Sequence, residues 1–178
     1  MKVGLIRHFK VTRGYPSKMV TSDELMSWVT EYDESDVEEI EVNLCNIQWE
    51  KCFSSDLSRA KATAEKCFDG TIVYVDELRE ISLSPIFQSK IKLPLFVHLF
   101  CIRLAWLLNH KSQLEKKSEV LNRLNKALDI ALHSKDNVLI VSHGGTMFYL
   151  RRELRKRGFK GPKFNRPRNG VVYLFGDD

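Results

Sequence analysis

The sequence predicts an α/β protein, a three-layer sandwich in which a mostly parallel sheet carries helices on both faces. Short apolar runs alternate with segments of helical period along the whole chain, as in a sheet wound through crossover helices. Val3–Ile6 is continuously apolar or small, as strands covered on both faces are. Three of the runs also break off at ionisable or hydroxyl-bearing residues: Arg7-His8, Ser54-Ser55-Asp56 and Ser142-His143.

From the amino terminus, Val3–Ile6 predicts a first strand, and Phe9–Lys18, with Gly14 and Pro16, a loop. Thr21-Ser22-Asp23-Glu24 is a helix start, a small polar cap with acids in the first turn ahead of Leu25, Trp28 and Val29. The acidic stretch Asp33–Glu41 loses the period and reads as a helix end and exposed connection. Trp49–Ser54 is a second strand. The next helix presents Ala60, Ala62, Thr63, Ala64 and Cys67 as a small-residue face and stops before Gly70. Thr71–Val75 is a third strand. Pro85 and Pro94 bracket an irregular region, followed by helices over about Leu95–His110 and Glu115–His133. Leu121, Leu124, Ala127, Leu128 and Ala131 share one face of the latter. Asn137–Val141 is a fourth strand, Thr146 opens a helix reaching about Gly158, Gly161–Asn169 is a basic loop, and Val171–Phe175 is a last strand. With no repeat or obvious linker, residues 1–178 are expected to form one domain, with a helical lid or insertion at about 81–118.

With 43% hydrophobic and 29% charged residues the chain can bury a core and stay in solution, and 10% aromatic content argues against disorder. The excess of 28 Lys and Arg over 23 Asp and Glu favours anionic ligands without selecting one. Its densest cluster, Arg151 to Arg157 with Lys160, Lys163, Arg166 and Arg168, reads as a solvated face, so no nucleic-acid partner is expected. Cys45, Cys52, Cys67 and Cys101 form no C-x-x-C pair, which favours free thiols and no metal. The apolar stretch Leu93–Leu108 is broken by Pro94, His98 and Arg103 and falls short of the about 20 residues a spanning helix needs. No secretory signal is visible, so a cytoplasmic location is expected.

In open α/β sheets ligands bind beyond the carboxyl ends of the strands. Adjacent strands would therefore gather Arg7, His8, Arg59 and His143 around one crevice. Two guanidinium forks and two imidazoles suit a phosphate-sized dianion, and the helices starting near Leu57 and Gly144 offer backbone N–H groups to it.

The motifs Leu5-Ile6-Arg7-His8, Ser54-Ser55-Asp56-Leu57-Ser58-Arg59-Ala60, Leu78-Arg79-Glu80 and Val141-Ser142-His143-Gly144 occur in this order over nearly the whole chain. Together they resemble the histidine phosphatase superfamily, also called phosphoglycerate mutase-like, and at this length its short phosphatase branch. The resemblance implies that His8 is the nucleophile and becomes phosphorylated. Arg7, Arg59 and His143, with Gly144, would hold the phosphoryl oxygens. Glu80 would be the general acid, with Asp76 and Glu77 close enough in sequence to compete for that role. His8 must present a free lone pair and His143 a charge or a donor, which calls for different protonation states in one pocket. No metal or cofactor is needed. Asp56 reads as a helix cap rather than a catalyst, and His98, His110 and His133 as bystanders.

The family usually has Gly after its catalytic His, where Phe9 stands, and commonly Asn six residues past that His, where Gly14 stands. Phe9, Lys10 and Arg13 become candidate substrate-binding residues, with the Ile81–Trp106 region shaping specificity. The expected activity is phosphomonoester hydrolysis of a small phosphorylated substrate or a phosphoprotein. A phosphotransferase or mutase, and a catalytically weakened phospho-ligand binding module, are the alternatives.

Overall fold

The computed structural model describes residues 1–82, 84–86, 88 and 90–177; Leu83, Phe87 and Ser89 of the expected insertion lie outside the described residues. The elements are β1 (Lys2–Arg7), β2 (Lys10–Val11), α1 (Ser22–Glu34), β3 (Val37–Glu38), β4 (Lys51–Ser55), α2 (Ser58–Cys67), β5 (Ile72–Val75), a 3-10 turn (Asp76–Leu78), α3 (Leu95–Leu107), α4 (Lys117–Leu132), β6 (Val138–Ser142), α5 (Gly144–Lys156) and β7 (Val172–Gly176).

The main sheet has the order β5-β4-β6-β1-β7. β4, β5, β6 and β1 run parallel and β7 is antiparallel at the edge beside β1. The register pairs Arg7 with Ser142 and Ser54 with Val141, so the three strands that end in polar residues are neighbours with β6 in the centre.

Alternation along the strands divides the core. Val3 and Leu5 of β1 and Val138 and Ile140 of β6 pack on one face against α4 and α5, through Leu124, Leu128, Met147 and Leu150. Ile6, Leu139 and Val141 face the other way, onto Ala60, Ala64 and Cys67 of α2. The small-residue face of α2 lets that helix lie close to the sheet. Gly4 makes room for Leu139 and the Trp49 ring, from which a Cβ there would stand 2.8 Å and 2.9 Å. Burial on this side pushes the Cys52 thiol up to about 12 and the Cys67 thiol to about 11.

α1 starts as its sequence signature requires: Thr21 caps the backbone N–H of Glu24, and the Glu24 carboxylate accepts from the N–H of Thr21. Two segments read as irregular form a small second sheet instead, with Lys10 opposite Glu38 and Val11 opposite Val37. Two residues are too short for a period to register. A third apolar cluster, Val20, Leu25, Trp28 and Ile102, joins α1 to α3. α3 leaves Phe96, Phe100, Leu104 and Leu107 exposed. Among the described residues no helix is long and apolar enough to cross a membrane.

Candidate active site

The carboxyl ends of β1, β4 and β6 open into a cavity of about 1000 Å³. Arg7, His8, Arg59, Glu80 and Gly144 all line it, and His143 is fully buried beside them, its ring centroid 5.1 Å from that of His8.

His8 is held from several directions. Its N–H donates to Ser142 O at 3.0 Å, its carbonyl accepts from Asn169 Nδ2 at 2.6 Å, and the N–H of Phe9 donates to Thr63 Oγ1 at 2.8 Å. The ring Nδ1 lies 2.6 Å from Phe9 O. A carbonyl can only accept, so Nδ1 carries the proton and Nε2 keeps its lone pair. Burial, then the His143 ring and the Arg59 guanidinium, hold the His8 pKa well below the usual imidazole value of 6.5.

His143 is arranged the opposite way. Its Nε2 lies 2.9 Å from Ser55 Oγ, and that hydroxyl also accepts from the N–H of Leu57 at 3.4 Å. In the tautomer with its proton on Nδ1, the Ser55 hydroxyl donates to Nε2 and Nδ1, buried with no hydrogen-bond partner, is left as a donor. Burial, then Arg59 and Arg7, lower the His143 pKa well below 6.5 as well. Both shifts run the same way, so burial does not set the two imidazoles apart; they differ in which ring nitrogen is engaged, Nδ1 in His8 and Nε2 in His143.

The guanidiniums complete the cradle. Arg7 Nη1 donates to Pro167 O at 3.1 Å, and Arg59 Nη1 pairs with Asp33 Oδ1 at 2.6 Å. Each retains a buried Nε with no partner, an arrangement suited to an anion. Glu80 is seated on the first turn of α5: Oε2 accepts from Gly145 N and Oε1 from Thr146 N, each at 3.0 Å. The N–H groups of Gly145 and Thr146 are thereby spent on Glu80, while Gly144, the expected phosphate-binding residue, lines the cavity. Glu77 turns to Lys126 at 2.6 Å, whereas Asp76 lines the cavity.

Three further expectations are overturned. Asp56 caps nothing: the residue before α2 is Leu57, and Asp56 instead holds Arg79, with Oδ1 2.7 Å from its Nε. A planar guanidinium fork is a better partner for that carboxylate than one backbone N–H, and it lowers the Asp56 pKa. Phe9, Lys10 and Arg13 do not line the cavity. Phe9 is fully buried against the α2 face of the sheet, Lys10 pairs with Glu38, and Arg13 pairs with Glu31. In the basic cluster, Arg166 lines the cavity, while Arg151 stacks on Phe148 and Phe164.

Sequence reasoning missed the supporting residues Thr63, Asp33, Asn169 and Pro167. Thr63 was legible only as a small residue on α2, and the others lie in stretches without periodicity. Among the described residues, no three or more His, Cys, Asp or Glu side chains group so as to hold a metal ion.

The sequence model of the histidine phosphatase superfamily (branch 1) matches residues 27–175. The chain belongs to the histidine phosphatase superfamily. Solved structures of low identity share its fold. The product of open reading frame Rv3214 of Mycobacterium tuberculosis is 14% identical, with a TM-score of 0.64 over 99% of this chain and 91% of that one. YhfR of Bacillus stearothermophilus is 18% identical, with a TM-score of 0.61 over 99% and 91% of the two chains. A mycobacterial glucosyl-3-phosphoglycerate phosphatase, Rv2419c, is 20% identical, with a TM-score of 0.57 over 87% and 79%. No curated protein sequence matches. In this superfamily member the matched stretch begins after His8, so the structure, not the family match, places His8 beside His143 and Arg59.

Proposed function

We propose that the protein is a phosphomonoester hydrolase that works through a covalent phosphohistidine on His8. The observation that carries this reading is the His8 ring itself: pinned through Nδ1 to the Phe9 carbonyl, its pKa lowered by burial, and set among two guanidiniums whose buried Nε atoms lack partners. A fixed imidazole with a free lone pair is a nucleophile prepared without further reorganisation.

In the first step Nε2 of His8 attacks phosphorus and the bond to the leaving oxygen breaks. Arg7, Arg59 and the Nδ1–H of His143 take the negative charge that spreads over the equatorial oxygens. Glu80 gives the leaving oxygen its proton, through Oε2, whose backbone donor is Gly145 N. In the second step water attacks phosphorus, its proton returns to the Glu80 carboxylate, the P–N bond breaks, and His8 recovers its lone pair. The products are an alcohol and inorganic phosphate. Asp76, four residues before Glu80, also lines the cavity and would act if Glu80 does not.

Phe9 motivates the weakened-module reading, but its ring packs away from the cavity, so the bulk that replaces the usual Gly leaves the phosphate space open. Hydrolysis of an aryl phosphate by the wild-type chain, lost in His8→Ala, is the expected result, with an acid-labile phosphoenzyme trapped from the wild type alone. Full turnover by His8→Ala would refute the assignment. Accumulation of a transferred phosphoester rather than inorganic phosphate would favour a mutase.

A further inference from the structure

We propose that the substrate's leaving group carries a flat aromatic body, bound on a wall made by Tyr15, Trp28 and Tyr32; this rests on the phosphomonoesterase reading of the site. Trp28 and Tyr32 are one turn apart on α1, with ring centroids at 5.2 Å. Tyr15 comes back from the loop after β2 to lie over both, at 5.6 Å from Trp28 and 6.3 Å from Tyr32, its ring within 28° of parallel to the latter. The Trp28 Nε1–H donates to Gly14 O at 3.0 Å and ties the loop to the helix. The wall is therefore set before a ligand arrives.

It also begins where the phosphoryl group ends. The Arg59 guanidinium stands 5.4 Å from the Tyr32 ring centroid, and all three aromatic residues line the same cavity as His8. From Tyr32 the wall runs out to Tyr15, which is 52% exposed and offers aromatic surface to whatever enters. Leu99 and Leu107 of α3 and Phe148 of α5 supply further apolar lining. A small polyol ester would use the phosphoryl end and leave this surface in water. A ring joined to the leaving oxygen through a short spacer would bury it, with the edge and face contacts that aromatic rings favour. The cavity, at about 1000 Å³, has room for such a body beside a phosphate.

The test compares binding of two non-hydrolysable phosphonates, 2-(1-naphthyl)ethylphosphonate and ethylphosphonate, to the wild-type chain by calorimetry. The naphthyl compound is expected to bind about tenfold or more tightly. Tyr15→Ala should erase most of that preference and leave ethylphosphonate affinity unchanged, and Tyr15→Phe should keep it. Equal or undetectable binding of the naphthyl compound, or an equal loss of both in Tyr15→Ala, overturns the proposal. Because binding is read without turnover, an absent phosphoenzyme would refute the hydrolase reading while a naphthyl preference still stood.

Discussion

His8 and His143 stand with ring centroids 5.1 Å apart and use opposite ring nitrogens for their hydrogen bonds. His8 uses its Nδ1–H on the Phe9 carbonyl and keeps the Nε2 lone pair, whereas His143 meets the Ser55 hydroxyl through Nε2 and leaves Nδ1 without a partner. Identical side chains are thus held in two different ways, one by a backbone carbonyl and the other by a hydroxyl.

Ser55→Ala removes the group that sets the His143 tautomer. Steady-state kinetics should show kcat reduced by about tenfold or more, because a donor to the transition state is no longer held in place. A buried ring nitrogen without a partner also destabilises the fold by about 1–3 kcal/mol, measurable by urea unfolding. An unchanged kcat would show that Ser55 does not orient the ring.

Both imidazoles titrate below 6.5 in the folded chain, mainly through burial. Between the folded and unfolded values the unfolded chain binds more protons, so the two histidines contribute fully to stability above 6.5 and progressively less as pH falls below it. Urea midpoints measured from about pH 7.5 down to about pH 5.5 should decline, and less steeply in His143→Gln. The same shift keeps the nucleophile unprotonated into mild acid, so kcat/KM should persist below the pH at which an exposed histidine would be lost.

Gly145→Ala tests Glu80 without touching it. A Cβ there would stand 2.7 Å from Glu80 Oε1 and 3.3 Å from Arg103 Nη2, and the carboxylate, as the end of a flexible side chain, is the group that yields. Alanine suits a helix better than glycine, so thermal stability should hold. Turnover should fall about tenfold or more, most for esters with poor leaving groups, which depend on protonation. Equal losses for good and poor leaving groups would separate Glu80 from the acid role.

Asp33→Asn removes the charge that holds Arg59 from one side. The Asp33 side chain is 44% exposed, so the effect on stability should be small. The arginine loses its clamp, and the inhibition constant of inorganic phosphate should rise about fivefold. No change would mean that Tyr32 and the surrounding core position Arg59 alone.

Much of the fold was legible because burial writes itself into local pattern. β1 and β6 are apolar without interruption since both faces are covered, and Thr21 with Glu24 announces α1 through a cap that depends on four consecutive residues. Local pattern could not reveal β2 and β3, whose two-residue pairing is a contact between segments. It misassigned Asp56, because the competing partner Arg79 is distant in sequence and near only after β4 and the 3-10 turn are side by side. It placed Phe9 at the substrate, although a residue next to His8 in sequence points to the opposite face of the backbone.

By itself, the order of residues determined the class of fold, the strand ends that carry Arg7, His8 and His143, and the placing of Arg59 beside them, while Glu80 was reached through the family resemblance. Tertiary structure alone decided which ring nitrogen each histidine engages, that Asp76 but not Glu77 joins Glu80 at the cavity, and which aromatic rings wall it. Those properties depend on hydrogen bonds and close contacts between residues such as Ser55 and His143, or Tyr15 and Tyr32, whose spacing along the chain carries no record of their distance in space.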